Sequence, residues 1–293
     1  MVLNLEKIRT IKTSLDNHLR TSSHISRKTA NHTVEVAKDR LGDGGIFGVL
    51  RYDSKTQRDP RWDLFVKNLS YDSISTNNGI YIPQLDVLAV HGQEVQTEEG
   101  HDILVIGHLP DQTICHGTPI EKMAELIDNY QAIGIVAAPY SDKGAGRFLE
   151  ENSNVIRGFH GIETFSGEAE FSLFGRYPEA NVKAEELFKR LKEQYSHLFS
   201  FVGDDGHSIR ELGKTYAVIE MPQDYTIFRN NPLNLVSHII KGYTNAKEFK
   251  KTSARLGALN HILDLAILIG TSKLGLDPNT QTAPLLERFG IQV

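Results

Sequence analysis

The chain has 293 residues, of which 32 are Lys or Arg and 37 are Asp or Glu, so its formal net charge is −5. This mild acidity argues against a protein whose main work is to coat nucleic-acid phosphate, because such proteins carry a clustered basic excess. The single cysteine, Cys115, excludes an intramolecular disulfide and a multi-cysteine metal site, which fits a reducing cytosol and would also fit a Cys-poor exported protein. A metal site in this chain must therefore use nitrogen and oxygen ligands.

The first thirteen residues carry apolar side chains at three-residue spacing, at Val2, Leu5, Ile8 and Ile11, which predicts a short amphipathic helix or lead-in. They contain no continuous apolar run of signal-peptide length. The most apolar stretch of the chain, residues 263–270, is too short to span a bilayer and is interrupted by an acid. We expect a soluble, cytoplasmic protein with no membrane partner.

Short apolar runs of β type alternate with helical patterns through about the first 220 residues. This alternation predicts an α/β fold made of βαβ units around a mainly parallel sheet. The predicted strands are residues 46–50, 87–90, 103–106, 133–137, 161–165, 198–202 and 216–219. The predicted helices are residues 29–41, 120–130 and 180–195. Two polar stretches, residues 53–79 and 141–153, are interpreted as loops or short excursions over one face of the fold.

The character of the sequence changes near Tyr225, where residues 230–232 read Asn-Asn-Pro and indicate a hinge. Two helical patterns follow, at residues 233–242 and 254–270. We therefore expect residues 1–224 to form the main body. Residues 225–293 are predicted to form a helical appendage, which packs on that body or on a second copy of the chain in a homo-oligomer.

Four clusters place acidic and imidazole side chains beside predicted strand ends. They are residues 16–18 with His24, residues 92–94, residues 100–108 and residues 203–208. Because alternate side chains of a strand share a face, Asp16 and His18 can point at one ion, and so can Asp205 and His207. A hard or borderline divalent ion needs several converging carboxylate and imidazole ligands. The spacing within these clusters suits such chelation.

The order of the clusters resembles the polymerase and histidinol phosphatase family, usually called the PHP domain, over about residues 14–221. Residues 15–24 resemble the family's opening His-x-His strand followed by Thr and Ser, with Asp16 at the first His and His18 at the second. Residues 92–107 are similar to the family's Gly-x-Glu motif and the Gly-His strand that follows it. Residues 203–208 are similar to its closing Gly-Ser-Asp-Ala-His-Ser motif, and residues 161–167 to the segment before that motif.

The resemblance implies a distorted (β/α)7 barrel over residues 1–224, similar to a TIM barrel, that hydrolyses phosphate esters with divalent metal. In that comparison Glu94 bridges two ions, Asp205 and His207 close the site, and a water activated by metal attacks phosphorus. Glu94 and Asp205 are therefore candidate catalytic residues. The candidate metal ligands are Asp16, His18, His24, Glu94, His101, Asp205 and His207.

The chain departs from the family pattern at several ligand positions. Leu50-Arg51-Tyr52 stands where the family has Thr-Asp-His, and Ala138-Pro139 stands where it has His-Pro. We therefore expect one or two ions of Zn, Mn or Fe in place of three. Arg51 is a third candidate catalytic residue, because a guanidinium at the rim could replace a lost ion's charge and bind phosphate in a bidentate way. The alternative for Arg51 and Tyr52 is an ordinary surface pair.

Two functions remain open at this point. The first is a metal-dependent phosphoesterase that acts on a small phosphorylated substrate. The second is a catalytically impaired barrel that binds a phosphorylated ligand, a nucleic-acid end or a protein partner without turnover; the changes at Tyr52 and Ala138 favour it. Exonuclease work in DNA repair, which some members of the family perform, is a weaker third hypothesis, since the chain has no basic stretch.

Overall fold

The computed structural model describes residues 7–19, 25–53, 58–167, 179–206, 209, 211–230 and 232–252. The strands are β1 (Ile8–Ser14), β2 (Gly45–Arg51), β3 (Ile74–Ser75), β4 (Gly79–Ile82), β5 (Val87–Gln96), β6 (Asp102–Ile106), β7 (Ile133–Val136), β8 (Gly161–Ser166), β9 (Phe199–Gly203), β10 (Tyr216–Pro222) and β11 (Glu248–Lys250). The helices are α1 (Arg27–Leu41), α2 (Arg61–Asn68), α3 (Ile120–Asn129), α4 (Gly146–Glu151), α5 (Ala180–Gln194) and α6 (Pro232–Thr244). Two 3₁₀ segments cover Ser153–Gly158 and Tyr225–Asn230.

One sheet joins the strands in the order β11-β10-β1-β2-β5-β6-β7-β8-β9, with the β3–β4 hairpin added beside β5. Parallel pairing joins β1 to β2, β2 to β5, β7 to β8 and β8 to β9. The other described pairs are antiparallel. The expectation of a mainly parallel sheet is therefore wrong, because β6 returns directly after β5 and β10 returns beside β1. The mixed sheet curves into a nearly closed barrel in which β9 approaches β10.

Strand alternation divides the apolar side chains between the inside of the barrel and the layers outside it. Inside, Ile46 and Leu50 of β2 meet Leu88 and Val90 of β5 in one buried cluster. Outside, the intervening side chains of β2 and β5 pack under α1 and α2. A third buried cluster lies between β6, β7, β8 and the helices α3 and α5. This division fixes which residue at each strand end points into the barrel.

Apolar side chains between Tyr225 and Tyr243 belong to the buried cluster inside the barrel. Tyr225 donates its hydroxyl hydrogen to the carbonyl of Gly44, just before β2, and Val236 of α6 lies against Gly107, just after the antiparallel β6. The first contact lies at the barrel end where β2 begins, and the second lies level with the middle of β5, since the amide of Gly107 donates to the carbonyl of His91. The second helix predicted for the appendage, residues 254–270, lies outside the described residues.

The seven predicted strands and the predicted helices at residues 29–41, 120–130, 180–195 and 233–242 are confirmed, with shifted ends. β5 is much longer than expected and includes Glu94. The polar stretches predicted as loops or excursions contain α2 with β3, and α4. Within the described ranges no helix is long and apolar enough to cross a membrane.

The prediction of a helix or lead-in over the first thirteen residues is wrong from Ile8 onward. Residues Ile8–Ser14 form β1, which pairs with β10 from Ile8 opposite Pro222 to Thr13 opposite Ala217. Apolar residues three apart match the helical period only loosely, and the partner strand more than 200 positions away in sequence decides the conformation.

Candidate metal centre

The segment after β1 is held against the segment after β9 by backbone hydrogen bonds. The amide of His18 donates to the carbonyl of Gly206 (2.8 Å), and the amide of Gly206 donates to the carbonyl of Asp16 (3.2 Å). Asn17 secures the turn with its side-chain amide, which donates to the carbonyl of Ser14 (2.8 Å). Because these bonds fix two chain segments side by side, they bring Asp205 next to Asp16 and His18.

Three of the predicted ligands converge on a ring nitrogen of a fourth, His18. The Nε2 atom of His18 lies 3.6 Å from Asp16 Oδ1, 3.3 Å from Glu94 Oε2 and 3.8 Å from Asp205 Oδ1. Ligand atoms of Asp16, His18 and Asp205 all lie within 4.8 Å of one another. We call Asp16, His18, Glu94 and Asp205 the acid cluster. Glu94 reaches it because it lies on the inner face of β5, in register with Leu104 of β6.

The acid cluster is buried, and its carboxyl groups repel one another. Asp16 is 2 % exposed and Glu94 is 8 % exposed. Burial and then the charge of Asp205 raise the pKa of Asp16 well above its usual range, and the same two causes, in the same order, raise the pKa of Glu94. Asp16 Oδ1 and Glu94 Oε2 receive no hydrogen bond from the described residues. A divalent cation would compensate these buried carboxyl oxygens, and three carboxylates with one imidazole form a set that can hold one.

Glu163 joins the cluster on a second side, although the sequence predicted no site role for it. Burial and then the charge of Asp205 raise the pKa of Glu163 to about 8. Its Oε2 atom accepts the amide hydrogen of Ala138 at 2.7 Å. A signal for Glu163 was present in the sequence, since it lies in the segment that resembles the family just before the closing motif.

Asp204, the neighbour of Asp205, is also buried, but both of its carboxyl oxygens receive hydrogen bonds. It accepts hydrogen bonds from Ser14 Oγ (3.0 Å) and from the amide of Thr215 (2.5 Å). Burial nevertheless raises its pKa to about 7. Because Asp204 has these donors, it ties β1 to the segment before β10.

Tyr52 forms one wall of the acid cluster. Its ring stacks on the ring of His18, with the centroids 4.6 Å apart and the planes at 17°, and its hydroxyl hydrogen-bonds Glu94. Burial and then the charge of Glu94 raise the pKa of Tyr52, so it enters the site as a neutral phenol. Tyr52 is 38 % exposed, as the surface interpretation expects, but strand alternation puts its ring on the same side of the sheet as Leu50, where it packs on His18 and not beside Arg51.

Arg51 points the other way and does not reach the site. Its side chain is fully buried in the outer layer, with Nε 2.9 Å from Asp53 Oδ2 and terminal nitrogens donating to the carbonyls of Pro110 (2.9 Å) and Gln112 (2.6 Å) and to Thr113 Oγ1 (3.0 Å). These partners occupy the guanidinium. The predicted phosphate binding and catalytic role of Arg51 are therefore wrong. Adjacent residues of a strand point to opposite faces, so Arg51 faces the outer layer when Tyr52 faces the acid cluster.

The remaining predicted ligands are separate from the cluster or lie outside the described residues. His101 lies in the turn between β5 and β6, and its ring packs on Phe148 with centroids 5.4 Å apart, so it is not brought to the acid cluster. His24 and His207 lie outside the described residues.

The rim of the site carries a carboxyl and a cation that sequence reasoning missed. Asp102 lies on the inner face of β6, and burial raises its pKa to about 6. Lys143 has an exposed side chain whose Nζ lies 3.8 Å from Asp102 Oδ2, and its charge opposes the rise in the pKa of Glu94. Lys143 lies in the polar stretch predicted as a loop or excursion.

No family model and no curated protein matches the sequence. Solved structures share the fold at low identity. PsfC from Pseudomonas syringae PB-5123 is 14 % identical with a TM-score of 0.56, over 88 % of this chain and 99 % of that one. Endonuclease Q in complex with a 27-mer duplex that has an abasic lesion at the active site is 12 % identical with a TM-score of 0.53, over 83 % of this chain and 58 % of that one.

The lesion-specific endonuclease Q of Pyrococcus furiosus is also 12 % identical, with a TM-score of 0.52, over 83 % of this chain and 57 % of that one. The chain thus spans a little over half the length of the endonuclease Q chains. At these identities the likeness shows the fold, a barrel-type α/β architecture.

Proposed function

We propose that this chain is a metal-dependent hydrolase of phosphate esters, built as a divergent PHP-type barrel of the distorted (β/α)7 kind. The observation that carries the proposal is the convergence of three carboxylate oxygens on His18 Nε2 within 3.8 Å. These residues come from three distant parts of the sequence and meet at the barrel end that follows the strands. Side chains at that end of a barrel are typically the catalytic ones.

The chain's own residues hold the ion and present the substrate. A divalent cation supplies a water nucleophile at neutral pH and positive charge for the phosphoryl oxygens. Asp16, His18 and Asp205 hold the cation in this proposal, and Glu94 adds a fourth ligand whose orientation is set by the hydroxyl of Tyr52. Lys143 stands at the rim with an exposed side chain, where it can pair with a substrate phosphate.

The proposed substrate is a small phosphorylated molecule. The net charge of −5 and the acidic interior disfavour long contact with a polyanion. The fold shared with an endonuclease solved on a 27-mer duplex favours nucleic acid as the alternative substrate. A homo-oligomer through residues 225–293 and a cytoplasmic location stay predictions.

The second candidate function is binding without turnover. It is favoured by Tyr52, a neutral phenol packed on the ligand His18, and by Ala138, which offers only a backbone amide to the site. Both replace groups that would hold further ions in the family the sequence resembles. Such a protein would bind metal and a phosphorylated ligand but release no product.

The test is metal analysis followed by turnover of a generic aryl phosphate with added Mn²⁺. We expect protein purified without chelator to carry divalent ion and to release phosphate, and Glu94→Gln to abolish release. Glu98→Gln, an exposed acid of the same hairpin, is the matched control and should keep full activity. Bound metal without turnover of monoesters, diesters or an oligonucleotide would select the binding function. Protein without metal would refute both.

A further inference from the structure

We propose that Arg61 is a positioning residue of the metal centre, which fixes His18 and Tyr52 beside each other through hydrogen bonds to the backbone. This proposal rests on the proposed function, because it assigns to Arg61 the placement of one of the metal ligands. Arg61 is the first residue of α2 and is only 3 % exposed. It lies in the polar stretch of residues 53–79, which the sequence predicted as a loop or excursion.

One nitrogen of the Arg61 guanidinium joins the two chain segments that form this side of the site. Its Nη1 atom donates to the carbonyl of His18 and to the carbonyl of Leu50, both at 3.1 Å. His18 follows β1, while Leu50 lies in β2, two residues before Tyr52. The amide of Leu50 also donates to the carbonyl of Asn17 at 3.0 Å. Arg61 therefore extends a connection between these segments that the backbone begins.

Asp59 carries the connection from Arg61 to the backbone of Tyr52. Its Oδ2 atom lies 3.1 Å from Nη2 of Arg61 and accepts the amide hydrogen of Tyr52 at 3.1 Å. Its Oδ1 atom accepts the amide hydrogen of Arg61 at 2.8 Å. Both side chains are buried, and hydrogen bonds to charged groups are shorter and stronger than those between neutral groups. The ion pair thus ties the amide of Tyr52 to the carbonyl of His18.

The stacked rings of Tyr52 and His18 lie at the point that these bonds fix. The ring centroids are 4.6 Å apart, and the hydroxyl of Tyr52 hydrogen-bonds Glu94. The guanidinium carbon of Arg61 lies 5.9 Å from the centroid of the Tyr52 ring. Groups that orient metal ligands from outside the ligand set typically change metal affinity by about 10- to 100-fold. Arg61 therefore acts on the ion through His18 and Tyr52.

Two competing roles for Arg61 predict a different effect on metal affinity. Burial lowers the pKa of Arg61, and the charge of Asp59 and then that of Glu94 oppose this, so the guanidinium and the acid cluster interact. If Arg61 acted by its charge alone, its removal would strengthen cation binding, because like charges repel. If it served stability alone, its removal would lower the free energy of unfolding and leave the affinity of the folded protein unchanged. Only the positioning role predicts weaker metal binding by folded protein.

The experiment titrates Mn²⁺ alone into the folded full chain and records the NMR shifts of the His18 ring protons without metal. For Arg61→Met we expect Mn²⁺ binding weakened by roughly 10- to 100-fold. We also expect loss of the ring-current shift that the stacked Tyr52 ring imposes on His18, a shift that Tyr52→Leu identifies. Arg61→Lys keeps the charge beside Asp59 but lacks the planar fork that reaches both carbonyls and Asp59 together, so it should recover only part of both signals.

Arg51→Met is the matched control, because Arg51 is also a buried arginine paired with an aspartate, Asp53, but it faces the outer layer. It should keep the wild-type Mn²⁺ affinity and the His18 shift. Unchanged or stronger Mn²⁺ binding by folded Arg61→Met, or a retained His18 shift, overturns the positioning role and leaves the proposed function standing. A wild type that binds no Mn²⁺ refutes the proposed function, while the His18 shift still tests the placement of the rings.

Arg61→Lys decides if Arg61→Met does not fold, because lysine leaves Asp59 with a cationic partner. Wild-type Mn²⁺ affinity together with a wild-type His18 shift in Arg61→Lys would then overturn the proposal.

Discussion

Replacing Arg51 with methionine distinguishes a structural ion pair from a phosphate-binding residue. Arg51 and Asp53 are both fully buried, and Arg51 also donates to the carbonyls of Pro110 and Gln112 and to the hydroxyl of Thr113. Arg51→Met leaves the carboxylate of Asp53 without its cation in a site closed to water. Breaking such a pair from one side costs about 3–5 kcal/mol, so we expect that loss in the free energy of unfolding.

The assay is urea unfolding of the wild type, Arg51→Met, Asp53→Asn and the double variant. The double variant should recover part of the loss, because no unpaired charge remains, and asparagine can still accept the amide hydrogen of Asp59 that Asp53 accepts at 2.7 Å. The control is Arg58→Met, since Arg58 forms an exposed pair with Asp63 and its loss should cost less than about 1 kcal/mol.

The metal content of folded Arg51→Met should equal that of the wild type, because Arg51 lies in the outer layer of the barrel. The reasoning is refuted if Arg51→Met is as stable as the wild type and has lost binding of inorganic phosphate. That result would indicate that Arg51 binds phosphate at the metal site.

Three further predictions concern the ligands, the rim and the buried imidazoles. Tyr52→Phe removes the hydrogen bond that orients Glu94, so equilibrium titration should show Mn²⁺ binding weakened by roughly 10- to 100-fold. Unchanged Mn²⁺ affinity would contradict the orienting role of Tyr52. Lys143→Met should raise KM for an aryl phosphate about tenfold at similar kcat, and Lys143→Arg should restore it; an unchanged KM contradicts the rim contact. Burial lowers the pKa of His108 to about 3, so the unfolded chain takes up this proton first as pH falls below about 6.5. The contribution of His108 to the free energy of unfolding should therefore fall by roughly 2–3 kcal/mol from pH 7 to pH 4.5. Urea unfolding at the two pH values should show this amount as the difference between the wild type and His108→Gln, and exposed His32→Gln should follow the wild type.

The elements of the barrel were largely predictable from local pattern. Helix α1 has its buried side chains Ala30, Val34, Ala37 and Leu41 at helical spacing, and Ser26 caps its first turn by accepting the amide hydrogen of Thr29. Such signals lie within one segment. The order and direction of strands do not, which is why the antiparallel return of β6 and β10 was missed.

Most of the acid cluster was also predictable. Asp16, His18, Glu94 and Asp205 each lie at or near a strand end in a recognisable motif, and the structure brings all four together. His101 was wrongly included because a turn rotates it away from the barrel, where it packs on Phe148.

The sequence by itself determined the α/β elements, the absence of thiolate ligands and the four residues of the acid cluster, because these depend on residue type and on spacing within short segments. Only the tertiary structure decided that Tyr52 faces the site while Arg51 faces the outer layer, since that choice depends on which face of β2 is inside the barrel. It also decided that Glu163 meets Asp16 over Gly203. That meeting depends on three strands whose register no local pattern contains.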